Sequence, residues 1–367
     1  MKASQHQYIY YGTKTNTVEV SKFVLHTLEV NKKASDQKRK KAPVCIWGRH
    51  GIGKTELVES IAKDNGYQFA YIAPAQFEEM GDLLGMPKIV GDETIMVPPS
   101  WVPTEDVPGI LLIDDVNRAD DRILRGIMQL LQNHELASWK LPKQWHIVLT
   151  ANPDGGDYSV TPMDDAMLTR MLHVTLEFDI KAWAQWAIKN GVDERGVNFV
   201  LTYPEIVSGE RTTPRSLVQF FDSIALIKDL KSELAFVAML ADSCLDSHAS
   251  SAFVSFVQQN QSRLITPQEI VNTKKFDAEV KTYLIEVVEK DQRIDILSAL
   301  CTRLVLYLKA MDKNCSKPQI ENVKQFLKLE MIPNDIRLSM IGDLTKVPSM
   351  KALLLDPTLS KLLLQKM

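Results

Sequence analysis

Apolar positions in the first half of the chain cluster into short runs that alternate with amphipathic stretches. The runs are rich in β-branched, aliphatic and aromatic residues, which is typical of strands that are buried on both faces. They cover residues 43–47, 68–72, 109–113, 145–151 and 172–176. Helical periodicity marks the stretches 55–64 and 122–133 between them. The alternation predicts an α/β domain with a parallel five-stranded sheet and helices on both of its faces.

Beyond about residue 180 the strand patterns stop and helical patterns replace them. Residues 181–190, 198–203 and 215–230 predict helices. The last of these has one apolar stripe, formed by Leu217, Phe220, Phe221, Ile224 and Ile227. Further on, residues 266–269 combine a Thr cap, Pro in the first turn and Glu three residues after the cap, which is the sequence of a helix start. We therefore expect the rest of the chain to be helical.

The charge balance excludes a protein that binds nucleic acid over its whole surface. The 367 residues include 43 basic and 46 acidic ones, a net charge of −3. Residues 1–41 nevertheless hold nine Lys or Arg and three Asp or Glu, a net of +6 that is concentrated in the run 38–41. Such a run can contact phosphate backbones, although a solvated loop is its commoner role.

Composition excludes several other classes of protein. The chain is 45% hydrophobic and 24% charged, as in globular proteins and unlike disordered ones. Its four Cys are too scattered for a disulfide framework. The N-terminal residues lack the apolar core of a secretory signal, and no run of about 18 apolar residues occurs. We expect no membrane segment and a cytoplasmic location.

Residues 48–55, GRHGIGKT, match the phosphate-binding pattern G-x-x-x-x-G-K-[ST] at every fixed position. Glycines allow the backbone to fold so tightly that several N–H groups point at one phosphate. Lys54 is expected to reach the β- and γ-phosphates, and the Thr55 hydroxyl to bind Mg²⁺. The pattern follows a predicted strand and begins a predicted helix, whose N-terminus favours anions. The expected nucleotide-binding residues are Gly48, Gly51, Ile52, Gly53, Lys54, Thr55 and Glu56.

Two acidic residues follow the apolar run 109–113 directly. Acids can end a strand at a turn without further function. Beside a phosphate loop, however, they are typical of a nucleotide hydrolase site. Asp114 would hold Mg²⁺ through its water shell. Asp115 would orient and partly deprotonate the attacking water.

Residues 114–119, DDVNRA, resemble the D-E-I-N-R-A signature of the MoxR-like AAA+ ATPases, whose wider branch includes dynein-related and midasin-like modules. Further segments resemble this family in the same order. Residues 79–87 resemble its D-L-L-G-x-P segment, which opens an insertion in the second helix, and 97–102 would be the returning half. Residues 129–133 resemble the helix that leads into a small hairpin, expected around 135–142.

The resemblance also implies three polar site residues. Residues 150–153, TANP, resemble the A-T-Q-N-P element, which makes Asn152 the sensor 1 residue. Arg170 takes the place of the arginine finger, which would complete the ATP site of a neighbouring subunit and stabilise the charge that develops during phosphoryl transfer. Arg215 matches the start of a lid helix and is the sensor 2 candidate, with Arg211 as an alternative.

This resemblance covers about residues 40–230. It implies a P-loop AAA+ module with sheet order 5-1-4-3-2, ATP and Mg²⁺ as cofactors, and a homo-oligomeric ring, commonly hexameric. The chain is accordingly divided into an N-terminal basic and helical segment, an AAA+ nucleotide-binding domain, a helical lid and a helical C-terminal domain. These are residues 1–41, 42–180, 181–230 and 231–367.

Three functions are consistent with these residues. The first is an ATPase (an NTP phosphohydrolase) that acts as a chaperone-like remodelling motor on a protein partner, for which the resemblance suggests a von Willebrand factor A domain. The second is a nucleotide-gated component of a nucleic-acid-handling or defence system, related to the GTP-using McrB-type motors, and the run 38–41 is its support. Residues 150–153 fit the MoxR pattern better, which favours a protein client over nucleic acid.

The third function is a slowly hydrolysing nucleotide switch. It rests on Asp115, where the family usually has Glu. Asp is one methylene shorter, so its carboxylate must approach the water by a shift of the backbone. Positioning supplies much of the catalysis in phosphoryl transfer, and turnover could therefore be slow.

Overall fold

The chain divides between Asp179 and Ile180 into two units. The computed structural model describes residues 9–155, 159–208, 211–259, 265–289, 294–310, 315–345 and 347–350. The first unit contains both the predicted N-terminal segment and the α/β domain. The boundary between a lid and a C-terminal domain stays a prediction.

A parallel sheet forms the centre of the first unit. The strands that the described residues of this unit form, including those of two small hairpins, are β1 Thr13–Thr15, β2 Val44–Trp47, β3 Gln68–Ile72, β4 Met86–Val90, β5 Glu93–Val97, β6 Gly109–Ile113, β7 Glu135–Leu136, β8 Trp139–Lys140, β9 Trp145–Ala151 and β10 Leu172–Leu176. The central sheet has the order β1-β10-β2-β9-β6-β3. Strands β10, β2, β9, β6 and β3 thus reproduce the expected order 5-1-4-3-2.

In the part of the chain that the structure describes, the sheet has six strands and not the expected five. The additional strand, β1, pairs in parallel with β10 at the edge of the sheet, from Thr13 opposite Val174 to Thr15 opposite Leu176. It has only three residues, and they are polar and largely exposed. A short edge strand needs no apolar run, because one row of backbone hydrogen bonds holds it, so periodicity could not indicate it.

Helices cover both faces of the sheet, as predicted. Those of the first unit are α1 Thr17–Asp36, α2 Lys54–Asp64, α3 Met80–Leu84, α4 Asp121–Asn133 and α5 Asp165–Leu168. Helices α1 and α2 pack with one set of strand residues, which includes Ile110 and Leu112. Helix α4 packs with the alternate set, which includes Leu111 and Ile113. Every residue of β6 is buried for this reason, since side chains alternate between the two faces of a strand.

Two antiparallel hairpins project from the sheet connections. Strands β4 and β5 pair from Met86–Val97 to Val90–Glu93, between the two halves of the expected insertion. All ten of their residues are exposed. Strands β7 and β8 form the small hairpin expected before the fourth strand of the core.

All elements of the second unit that the structure describes are helical, as predicted for the C-terminal part. The α-helices among them are α6 Ile180–Lys189, α7 Glu194–Thr202, α8 Pro214–Ile224, α9 Leu234–Cys244, α10 Ser247–Gln258, α11 Pro267–Asn272, α12 Thr282–Leu284, α13 Ile294–Ala310, α14 Lys317–Leu327 and α15 Asn334–Leu344. Thr266 caps α11 with a reciprocal Thr–Glu pair, as expected. Among the described helices of either unit, none is long and apolar enough to cross a membrane.

Helix α8 ends earlier than the predicted residue 230. Its last residue is Ile224. The guanidinium of Arg195 donates to the carbonyl oxygens of Ile224 at 2.9 Å and Ile227 at 2.6 Å. In a longer helix these carbonyl oxygens would accept from backbone N–H groups of the helix itself. Because Arg195 belongs to another helix, the apolar stripe of α8 could not indicate these contacts.

Candidate functional site

The loop between β2 and α2 has a backbone that only glycines adopt without strain at two positions. Gly51 has φ 69° and Gly53 has φ 88°, in the left-handed region that disfavours side chains. At Gly48 a Cβ atom would lie 2.7 Å from the Ile52 Cδ1 atom and 3.0 Å from the Leu176 carbonyl oxygen. Helix α2 starts at Lys54 without a side-chain cap on its first N–H groups. The loop and helix start therefore form a cradle of backbone N–H groups that fits a phosphate.

The Lys54 ammonium lies at the centre of this site. The residue is only 5% exposed. Its Nζ atom donates to the carbonyl oxygens of Gly48 at 2.9 Å and Arg49 at 3.0 Å, and to Asn152 Oδ1 at 3.1 Å. Asp115 Oδ1 is 4.0 Å away. These oxygens hold the ammonium between the phosphate loop and the end of β9.

Thr55 and Asp114 bring hydroxyl and carboxylate oxygens together at the start of α2. The Thr55 Oγ1 atom lies 3.0 Å and 3.1 Å from the two carboxylate oxygens of Asp114. Mg²⁺ prefers oxygen ligands and keeps several of its waters, so a hydroxyl ligand suits it beside a carboxylate that can bind those waters. The pair therefore fits Mg²⁺. Within the described residues, no group of three or more His, Cys, Asp or Glu could hold a metal ion instead.

The carboxylate of Asp115 is partly exposed beside the Lys54 ammonium. Its backbone has φ 46° and ψ 45°, which is rare for a residue other than glycine. The Asn152 Nδ2 group donates to its Oδ1 atom at 2.9 Å, and the Arg118 Nε atom lies 3.4 Å from its Oδ2 atom. An accessible carboxylate that is held in this way can accept a proton from a water molecule.

Sequence reasoning did not assign two buried polar residues of this site, of which Thr150 contacts both acids and Asn117 contacts Asn152. The Thr150 hydroxyl donates to Asp114 Oδ1 at 2.5 Å and accepts from the Asp115 backbone N–H at 2.8 Å. The Asn117 side chain donates to the Asn152 carbonyl at 2.8 Å and accepts from its N–H at 3.0 Å. Both lie inside segments that carry the family resemblance, but their roles depend on which strands are neighbours.

Three further predicted residues take no part in the hydrogen bonds described above. Arg170 follows α5, and its guanidinium contacts the Gln132 Oε1 atom at 3.2 Å and the Ala166 carbonyl. Glu56 is exposed in the first turn of α2. Arg215 is exposed in the first turn of α8, which belongs to the second unit. Their roles stay predictions.

A hydrogen-bonded link joins the phosphate-loop strand to the segment before Arg170. The Trp47 Nε1 group donates to His173 Nδ1 at 3.0 Å, so the Nε2 atom of a neutral ring carries the proton. That Nε2 group lies 2.8 Å from the Leu168 carbonyl oxygen. The last residue of β2 is thereby tied to the last residue of α5.

The basic run 38–41 is only partly solvated. Lys38, Arg39 and Lys40 are exposed. The Lys41 Nζ atom donates instead to the carbonyl oxygens of Lys143 at 2.6 Å and Trp145 at 2.8 Å. Burial lowers the pKa of Lys41 to about 8. This lysine therefore holds the start of β2 against the start of β9.

Comparisons with known proteins agree with this geometry. Residues 43–171 match the family model described as AAA domain (dynein-related subfamily). A midasin from Giardia intestinalis is 24% identical over 155 residues, which are 40% of this chain and 3% of that protein. The chain thus spans a small fraction of the length of this relative.

Solved structures of RuvB from Thermotoga maritima also resemble the chain. The one described as a Holliday junction branch migration motor is 14% identical, covers 83% of this chain and 94% of its own, and has a TM-score of 0.36. A RuvB mutant from the same organism is 15% identical, with coverages of 86% and 95% and a TM-score of 0.39. Similarity at this level bears on neither architecture nor function.

Proposed function

We propose that the chain binds ATP with Mg²⁺ and hydrolyses it, because residues 43–171 match the model of an AAA domain of the dynein-related subfamily. Water attacks the γ-phosphorus, the bond from that phosphorus to the β–γ bridging oxygen breaks, and ADP and inorganic phosphate leave. The loop N–H groups and Lys54 bind the phosphates. Thr55 and Asp114 would hold Mg²⁺, which supplies positive charge beside the phosphate oxygens.

Asp115 and Asn152 act on the water in this proposal. Asp115 accepts a proton as the water attacks. Asn152, which is fully buried, holds Asp115 in place through its Nδ2 group. Lys54 contacts the same amide, so the Asn152 side chain joins the phosphate-binding lysine to the water-activating carboxylate.

The observation that carries this proposal is a continuous set of contacts across three neighbouring elements. Each contact joins a predicted site residue to the next one or to Thr150. In order, it includes Thr55, Asp114, Thr150, Asp115, Asn152 and Lys54. A chance match to the phosphate-loop pattern would not place the acid Asp115, which follows β6, and the amide of Asn152, which follows β9, around the same lysine.

The test compares the wild type with Lys54→Ala and Asp115→Asn. We expect Mg²⁺-dependent phosphate release by the wild type, loss of nucleotide binding in Lys54→Ala, and retained binding without turnover in Asp115→Asn. Phosphate release and fluorescent-nucleotide titration measure the two properties separately. Turnover by Asp115→Asn at the wild-type rate would refute the assignment of Asp115.

We further propose that Arg170 acts on the ATP site of a neighbouring copy in a ring. The turnover per subunit should then rise with protein concentration. A mixture of Arg170→Ala and Lys54→Ala chains should recover activity, because an interface between them can combine an intact phosphate loop with an intact arginine. A rate that is flat over the assembly range, with no recovery in the mixture, would contradict this proposal. Arg215, with Arg211 as the alternative, is proposed to sense the nucleotide from the lid.

For the cellular role we propose remodelling of a protein client, and the MoxR resemblance suggests a von Willebrand factor A domain. The exposed hairpin β4–β5 supports a protein client, since large exposed apolar residues such as Ile89 and Met86 are typical of interaction surfaces. Asp115→Asn, trapped with ATP, should retain the client through purification. Retention of nucleic acid in its place would favour a component of a nucleic-acid-handling system. An assembled ring without turnover would favour a nucleotide switch.

A further inference from the structure

We propose that Thr150 is a positioning residue of the hydrolytic site, which sets the places of both acids through one hydroxyl group. The inference rests on the proposed ATPase function and goes beyond it, because it assigns the geometry of Asp114 and Asp115 to a residue that acts through them.

The hydroxyl of Thr150 has both of its hydrogen-bonding functions in use. A backbone N–H can only donate, so the oxygen accepts from Asp115 N–H at 2.8 Å. The hydroxyl proton is then available to Asp114 Oδ1, which lies 2.5 Å away. A bond this short is typical of a hydroxyl that donates to a charged carboxylate. Because Thr150 is fully buried, water does not compete for either bond.

The position of Thr150 in the sheet explains why it can reach both acids. It lies near the end of β9, where its backbone pairs with Ile46 of β2. On its other side β9 pairs with β6, and the two acids directly follow β6. One β-branched side chain, restricted at χ1, thus transfers the rigidity of the central sheet to the turn that contains the acids.

The left-handed backbone of Asp115 gives this contact a consequence for catalysis. A φ of 46° is unfavourable for an aspartate, so the turn needs outside contacts to persist. The bond to its N–H group is such a contact. The backbone conformation of Asp115 also determines how far its carboxylate, which is one methylene shorter than that of glutamate, can reach. By holding this conformation, Thr150 acts on the water through Asp115. The hydrogen bond from Thr150 to Asp114 positions the other carboxylate of the site, which faces Thr55.

The test uses two variants and a matched control. Thr150→Ser keeps the hydroxyl, and Thr150→Val keeps the shape but loses it. The control is Thr175→Val, which removes an equally buried hydroxyl from β10, where it donates to the Tyr11 carbonyl at 2.9 Å and contacts neither acid. For each variant kcat, KM, the Mg²⁺ concentration for half-maximal rate, and Tm are measured.

We expect kcat of Thr150→Val to fall by roughly 10- to 100-fold, the size of effect that a misplaced catalytic group produces, while nucleotide affinity without Mg²⁺ changes by less than about twofold. Its Mg²⁺ requirement should rise. Thr150→Ser should recover most of kcat, and Thr175→Val should change Tm alone. If Thr150→Val does not fold, Thr150→Cys replaces it, because sulfur is a weak donor and acceptor.

Two results would overturn the inference. One is Thr150→Val with the kcat and Mg²⁺ requirement of the wild type. The other is a loss of kcat that Thr150→Ser does not restore, which would assign the effect to packing. Failure of the proposed function looks different, because the wild type itself would then release no phosphate above the level of Lys54→Ala.

Discussion

The side-chain amide of Asn152 bridges Lys54 and Asp115, with its Oδ1 atom 3.1 Å from the ammonium and its Nδ2 atom 2.9 Å from the carboxylate. Lysine can only donate and an ionised carboxylate can only accept, so both contacts require the same orientation of the amide. The group that binds phosphate and the group that acts on water are therefore coupled through one buried side chain.

Replacing Asn152 by Ala should uncouple them. Asp115 loses a donor and Lys54 loses an acceptor, so the water-activating carboxylate is less firmly positioned. We expect kcat to fall by roughly 10- to 100-fold, with nucleotide affinity reduced only a few-fold, because Lys54 keeps the carbonyls of Gly48 and Arg49. Single-turnover phosphate release and nucleotide titration would measure both. Unchanged turnover in Asn152→Ala would remove this residue from the site.

Replacing Asp115 by Glu, the usual residue of the resembled family, should lower the rate. The existing contacts of Asp115 with Asn152 and Arg118 fit the shorter carboxylate on a left-handed backbone. An added methylene displaces it by more than 1 Å, and a shift of that size can cost about 100-fold in rate. Steady-state turnover at saturating ATP and Mg²⁺ tests this. A faster Asp115→Glu variant would indicate that the natural residue limits turnover, as a nucleotide switch requires.

The core strands could be predicted from the sequence because burial determines where they begin and end. The run 109–113 is apolar throughout, and β6 has the same limits with every residue buried. The phosphate loop was equally visible, since its glycines and Lys54 have fixed spacing. What periodicity could not indicate was β1, whose three residues are held at the sheet edge by backbone pairing with β10.

Side-chain contacts between distant segments were also beyond prediction. Nothing in the run 38–41 distinguishes Lys41 from its three neighbours, yet it alone binds carbonyls of residues 143 and 145. The hydrogen bond between the Asp115 N–H group and the Thr150 hydroxyl likewise requires β6 and β9 to be neighbours, which the expected strand order implied. No sequence pattern indicated that the Thr150 hydroxyl would contact both acids.

Within the basic run, we expect Lys41 to contribute to the stability of the fold and the exposed residues 38–40 to contribute little. Lys41→Met leaves two carbonyls without their donor, which should reduce the free energy of unfolding by about 1–3 kcal/mol. The triple replacement of Lys38, Arg39 and Lys40 by Ala should leave it within about 0.5 kcal/mol. Thermal or urea unfolding distinguishes the two variants. Salt-dependent nucleic-acid binding that only the triple variant loses would support the nucleic-acid function, whereas no binding by the wild type would dismiss it.

The stability of the first unit should fall in mild acid because of His146. This residue is 4% exposed in β9, and its Nδ1 atom has no hydrogen-bond partner among the described residues. Burial, with the nearby charge of Lys41, lowers the pKa of His146 to about 3 from an ordinary 6.5. Below pH 6.5 the unfolded chain therefore binds a proton here that the folded chain does not.

The free energy of unfolding should then decrease by up to about 1.4 kcal/mol per pH unit from this group as pH falls from about 6.5 toward 3. His146→Phe should have a shallower decrease, because no proton can bind at this position in either state. Comparing the two chains at pH 7.5, where His146 is neutral in both states, isolates the effect of packing. Urea unfolding at pH 7.5, 6.0 and 5.0 would measure the slopes. Equal slopes in the wild type and His146→Phe would mean that other groups cause the acid sensitivity.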